Sequence, residues 1–377
     1  IANLLRKSKM KVRKFLSVFV AFLILMSVSV SNAEQPLDIN YSRAELETMW
    51  RKRIQSFLDI GEIPLIDLQS SLKRQDGEAY LSKAIPVMDE VGVALMAFDG
   101  YQARRNSKKQ KGYRWGFYIH KVVNSYPNRF LLASNGGTNK NWVRGKNSFI
   151  SQTEKHIRSG AYPIMGEFEF RHYMSRRQCR AGNTFRDVHV PIEGPNAHRL
   201  FQLSADSAVA FVIHNEPENL LLRGLERMLK AYPSAKVIHA HFGQIRQPKK
   251  QSDFTADRVR HLLRNYPNLY FDLATGRPGR IYNCSGEETL DTIIWRRESD
   301  RQFPDLADQW KEIIIDFADR FVVGLDYGGG RGPLDKFIRK RVQNIRLIMR
   351  DLPDGARHAI GYRNAWKLLT GRSWNSK

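Results

Sequence analysis

Eight short apolar runs, separated by stretches with helical spacing, constrain this chain more than any other feature. They are IPLIDL (63–68), VGVALMAF (91–98), RFLLAS (129–134), PIMGEFEF (163–170), AVAFVIH (208–214), KVIHAHFG (236–243), LYFDLAT (269–275) and RFVVGLD (320–326). Each is short, rich in β-branched or aromatic residues and bounded by turn residues, as strands buried on both faces are. Between them, PENLLLRGLERMLKAYP and TADRVRHLLRNYP carry apolar residues three and four apart, and Pro233 and Pro267 close them. Eight strands alternating with helices predict an α/β fold, a closed parallel (β/α)₈ TIM barrel over 63–377; a doubly wound open sheet is the structural alternative. The polar amphipathic opening YSRAELETMWRKRIQSFLDIG predicts a helical cap, within 34–62, on the barrel. The 377 residues, 42% of them hydrophobic, supply ample core for such a domain.

Residues 1–33 read as upstream residues followed by a leader. Met10 opens a positive region with Lys11, Arg13 and Lys14, an apolar run extends from Phe15 to Val30, and Ser31-Asn32-Ala33 offers small residues for cleavage after Ala33. That layout predicts a secretory signal peptide and an exported, periplasmic protein; an uncleaved anchor is the competing reading. The formal charge is +23, and loss of the six Lys/Arg of residues 1–33 leaves +17. This balance favours anionic small molecules, envelope polymers or membrane surfaces over nucleic acid in an exported protein. After cleavage no stretch is long and apolar enough to span a membrane. Cys179 and Cys284 are the only cysteines; an oxidising compartment permits a disulfide, but their spacing does not establish one.

In a barrel of this kind the chemistry sits at the C-terminal ends of the strands. There the sequence places His214, His239 and His241, and Asp326, with Glu167, Glu169 and Arg171 on the fourth strand. Residues two apart share a strand face, so Asp67, Gln69 and Ser71 form one set, and His239 and His241 another. A lone histidine at a strand end is usually a hydrogen-bonded structural residue, and Arg171 could simply pair Glu169. The coincidence of His, His-x-His and Asp on strands five, six and eight is what points to one mouth.

On these pieces the chain resembles the amidohydrolase superfamily, in its amidohydrolase-related branch. IDLQSS matches the first-strand motif, MGEFEF the fourth-strand Gly-Glu segment, VIHNE the fifth-strand His, VIHAHFG the sixth-strand His-x-Gly, GLDY the eighth-strand Asp and RNAWKLLTG the closing helix. The resemblance implies a hydrolase in which His214 is a metal ligand, His241 a ligand or a donor to the attacked carbonyl, and Asp326 a ligand and the base toward water. A divalent ion, zinc first, is implied as cofactor, with Glu169 or His239 as spare ligand. The departure is the opening motif, where Gln69 and Ser71 replace two histidines; neither is a good transition-metal ligand. Three outcomes stay open: a rearranged metal site, metal-free hydrolysis with Asp326 as base, or a catalytically inactive barrel that binds an anionic ligand or envelope polymer.

The segments after the strands are basic: ARRNSKKQKGYR, RHYMSRRQCRAGNTFR, QIRQPKK, GRPGR and WRRESDR. Arginine forks suit carboxylate and phosphate groups. The expected substrate is therefore an anionic small molecule attacked at an amide, ester or lactone carbonyl, with decarboxylation as a related outcome. Arg171, Arg246 and Arg277 are the expected inner contacts, with His239 and Gln69 beside them; solvated basic loops are the alternative. The insertions at 173–207 and 276–307 each hold one cysteine and could form a bridged lid. Asp187 and His189 in RDVHVPIEG could form a second polar pair near the mouth, but a structural turn role is the first reading.

Overall fold

The structure is a computed structural model and describes residues 39–72, 77–100, 115–137, 140–143, 149–247, 252–289, 294–296, 298–300, 302–328 and 333–375. The leader at 1–33 and the basic run 103–114 lie outside these residues.

All eight apolar runs form strands. They are β1 Leu65–Leu72, β2 Val93–Gly100, β3 Phe130–Ser134, β4 Ile164–His172, β6 Ala210–Asn215, β7 Val237–His239, β8 Leu269–Asp272 and β11 Phe321–Val322. Short strands lie among them: β5 Val188–His189, β9 Ile281–Tyr282, β10 Glu287–Glu288 and β12 Tyr327–Gly328. The eight pair in parallel in the order β11-β8-β7-β6-β4-β3-β2-β1. A parallel bridge between Asp67 and Val323 then joins β1 to the chain leaving β11, which closes the ring. The expected α/β barrel is therefore present.

Side-chain size explains how the ring closes on itself. Inside, small residues (Ala94, Ala97, Ala133 and Ala210) interleave with Ile66, Leu68, Leu131, Ile164, Val212 and Ile238 in one buried cluster. Outward residues such as Val93, Met96, Phe98, Phe168 and Phe211 pack against the surrounding helices in a second cluster. The expected cap is helix α1, Arg43–Leu58. Ser42 and Glu45 form a reciprocal capping box that satisfies two otherwise orphaned backbone donors. Its buried stripe of Leu46, Trp50, Ile54 and Phe57 joins the inner cluster together with Tyr362, Trp366 and Trp374 from the C-terminal end of the chain. Trp50 donates its indole N–H to the Pro127 carbonyl, and Arg53 reaches the Ala94 carbonyl at the start of β2. The cap thus sits at the end of the barrel where the strands begin, and leaves the other end open for chemistry.

Asp67 is the buried fastener of the closure. One carboxylate oxygen accepts from the Gln69 N–H at 3.0 Å and the Leu325 N–H at 2.8 Å, and the other from the Ser70 hydroxyl at 2.5 Å. Pairing with β2 slips between Asp67 and Ser70, which turns the end of β1 into the mouth. Replacing Asp67 by Ala leaves two buried backbone donors without an acceptor. The expected destabilisation in urea unfolding is about 1–3 kcal/mol per orphaned group.

Candidate active site

Glu167 enters the mouth from β4 at a register slip between Met165 and Glu167. The slip depends on Gly166: a Cβ there would lie 2.6 Å from the Ser134 carbonyl and 2.7 Å from Asp99 Oδ2. Only glycine lets the strand pass that close, which gives the Gly-Glu pair a steric reason. His214 stands at the end of β6, and His241 in the turn after β7. One donor atom from each of Glu167, His214 and His241 lies within 4.8 Å of the other two.

Two of the mouth residues adopt left-handed backbone, which side chains other than glycine rarely take. His241 has φ 56° and Asp326 has φ 52°. Such a conformation persists only where the surroundings hold it, and it is typical of functional sites. The His241 N–H donates to Asp272 Oδ1 at 2.9 Å, and the Asp326 N–H donates to the Gln69 carbonyl at 2.9 Å.

Hydrogen bonding fixes the rings. The Arg246 guanidinium lies 3.2 Å from His214 Nε2, and His214 Nδ1 lies 3.1 Å from Glu167 Oε1. Arg246 is itself held by Glu216 at 2.9 Å. His241 Nε2 lies 3.4 Å from Glu167 Oε1 and 3.5 Å from the Gln69 amide nitrogen. Burial pushes the Glu167 carboxyl up, but the His214 and His241 rings outweigh it and hold it well below the usual range. Burial pulls His241 down, yet Asp326, Glu167 and Asp272 raise it above an ordinary histidine. Burial lifts Asp99 to about 7, against its hydrogen bond from Ser71, and lifts Asp272 to about 6.

The sequence-derived candidates divide here. His214, His241, Asp326, Gln69 and Arg246 converge on the mouth. Asp326 lines the cavity and accepts from Arg341 at 3.1 Å. Glu169, expected as spare ligand, is fully buried two residues beyond Glu167, ion-paired with Arg186 and 3.6 Å from His172. Glu167, and not Glu169, is the strand-four carboxylate that stands beside His214 and His241. Arg171 is occupied by Asp187 at 2.7 Å and the Val188 carbonyl at 2.8 Å, and stacks on Tyr173, so it fastens β5 to β4. Arg277 bonds Asn344 at 2.8 Å and Gln343 at 3.0 Å on the helix Leu334–Met349. His239 turns to the Asn215 carbonyl at 2.7 Å and stacks on Phe271; burial lowers its pKa to about 4. Asp187 is the partner of Arg171, and His189 is exposed in β5 opposite it. Sequence reasoning missed Asp99, Asp272, Glu216 and Arg341 as site residues. Asp99 and Asp272 do stand at the ends of strands two and seven, a signal of the same kind as Asp326.

A cavity of about 460 Å³ reaches the cluster at Glu167. Gln69, Ser71, Asp99, Glu167 and Asp326 line its floor; Ser175, Arg177, Gln178, Asn183 and Arg186 line the side formed by the insertion after β4. This insertion begins with a short helix, α2, Arg176–Arg180, whose Cys179 is disulfide-bonded to Cys284 on the β9–β10 hairpin with Cα atoms 5.4 Å apart. The Tyr282 hydroxyl donates to the Met174 carbonyl at 2.8 Å beside the bridge. Thiol titration of the unfolded, unreduced protein should therefore find no free thiol, and two after reduction.

No family model and no curated protein matches the sequence. Among solved structures, the chain is similar to a protein assigned as an amidohydrolase in Staphylococcus aureus, with 12% identity and TM-score 0.48 over 81% of this chain and 99% of that one. It is also similar to 2,6-dihydroxybenzoate decarboxylase from Rhizobium, with 11% identity and TM-score 0.44 over 81% and 98% of the two chains. A third is a Burkholderia multivorans amidohydrolase with bound zinc, with 12% identity and TM-score 0.42 over 81% and 99%.

Proposed function

We propose that this chain is an exported, amidohydrolase-related hydrolase that uses a divalent metal to cleave an amide, ester or lactone of a small anionic molecule. The observation that carries this reading is the Glu167–His214–His241 cluster. Two imidazoles and one carboxylate are a donor set suited to zinc, and three protein ligands are enough for a catalytic site. The residues fit the ion by chemistry as well as by proximity, since Glu167 is held as the anion that a cation needs. Gln69 and Ser71 need not serve as ligands, because β4 supplies the third donor.

When bound, a divalent ion would activate water near neutral pH and polarise a carbonyl oxygen. The chain's own residues do the rest. Asp326 faces the cavity as the carboxylate able to take a proton from attacking water. Arg246, clamped by Glu216, lies against His214 and holds the orientation of its ring. The Gln69 amide beside His241 Nε2 limits the directions in which that ring can turn. Export rests on the leader-like residues 10–33; among the described residues no helix is long and apolar enough to cross a membrane. Matched esters, lactones and amides offered to zinc-loaded and chelator-stripped protein test the reading. Turnover is expected only when loaded, and equal turnover in both preparations would overturn the metal-dependent assignment.

A further inference from the structure

We infer that Arg177, on the disulfide-tethered helix over the cavity, selects substrates that carry a carboxylate at the end opposite the scissile carbonyl. The inference rests on the hydrolase reading for the scissile end and on separate observations for the carboxylate end.

The cavity is electrically two-sided. Carboxylates (Asp99, Glu167 and Asp326) line its floor, whereas guanidinium groups line the lid side, where the anionic end of a ligand finds its complement. Two guanidinium groups line that side. Arg186 is already committed to the buried carboxylate of Glu169. Arg177 is exposed and, among the described residues, makes no ion pair. The neighbouring amides have the same bias. Gln178 uses its side-chain oxygen to accept the Ser175 N–H at 2.9 Å, and Asn183 uses its own to accept the Phe185 N–H at 3.0 Å. What these two amides have left to offer a ligand is N–H donors. A guanidinium with amide donors beside it complements a carboxylate, which takes a fork of N–H groups. The Cys179–Cys284 bridge sits two residues from Arg177 and ties its helix to the hairpin, so the donors are held in place before the ligand arrives. The substrate class this selects is the half-ester or half-amide of a short dicarboxylic acid.

The test uses glutarate as a non-hydrolysable probe, measured by calorimetry on chelator-stripped protein so that no metal binds the carboxylates. Arg177→Gln should weaken glutarate at least tenfold. Arg223→Gln, an exposed arginine of the helix Asn219–Ala231, should leave it within twofold. A Cys179→Ser/Cys284→Ser double variant with unchanged circular dichroism should lose at least threefold. Equal affinity in parent and Arg177→Gln, or no glutarate binding by the parent, would overturn the inference. Mono-4-nitrophenyl glutarate and neutral 4-nitrophenyl valerate, given to the zinc-loaded protein, read the scissile end separately. If neither ester is cleaved the hydrolase reading fails, while the glutarate result still decides the role of Arg177.

Discussion

A Glu167→Gln variant should bind zinc at least about 100-fold more weakly than the parent, because loss of even an outer partner of a metal ligand typically costs 10–100-fold. Glu167 is the one carboxylate in the cluster, and the amide cannot supply its charge. The same carboxylate holds both rings, through His214 at 3.1 Å and His241 at 3.4 Å. The variant therefore loses a ligand and the orientation of the other two together. Competition with a chromophoric chelator measures the effect without reference to any substrate. Glu169→Gln separates ligand from structural carboxylate: it should leave the zinc affinity within a fewfold and lower stability instead, because Arg186 loses a buried partner. Equal zinc affinity in Glu167→Gln and the parent would remove Glu167 from the ligand set.

The second large effect is on turnover. Asp326→Asn should lower kcat by about 10²–10⁴, the range that general base catalysis contributes. Asparagine suits the backbone here, since it tolerates the left-handed conformation that Asp326 adopts at φ 52°. The variant loses the charge that pairs with Arg341 but keeps the N–H that donates to the Gln69 carbonyl. The midpoint of thermal unfolding should therefore move little while kcat collapses. A variant that turned over at the parental rate would remove Asp326 as the base and leave it only the pairing with Arg341.

The strands were legible because strands buried on both faces need continuous apolar runs; their closure into a ring was not, since a doubly wound open sheet needs the same runs. The site was legible only down to the strand. Period-two alternation puts Glu167 and Glu169 on one face, but it does not say which lies at the depth of the histidines. That is decided by Arg186, which arrives from the insertion after β4 and claims Glu169. Alternation likewise grouped His239 with His241. The strand ends at His239, and the left-handed turn at His241 sends the two rings to different partners. Arg171 and Arg277 read as inner substrate contacts because their partners, Asp187, Asn344 and Gln343, are brought to them only by the fold. The meeting of Cys179 with Cys284 required two insertions to converge on one face across 105 residues, which spacing cannot reveal.

The most direct measurement is metal content by plasma mass spectrometry on protein purified without chelator or metal-affinity resin, alongside a His214→Ala/His241→Ala variant prepared identically. The account predicts close to one equivalent of zinc or a similar divalent ion in the parent and almost none in the variant. A parent that holds no metal even after reconstitution, or a variant that holds as much as the parent, would contradict it.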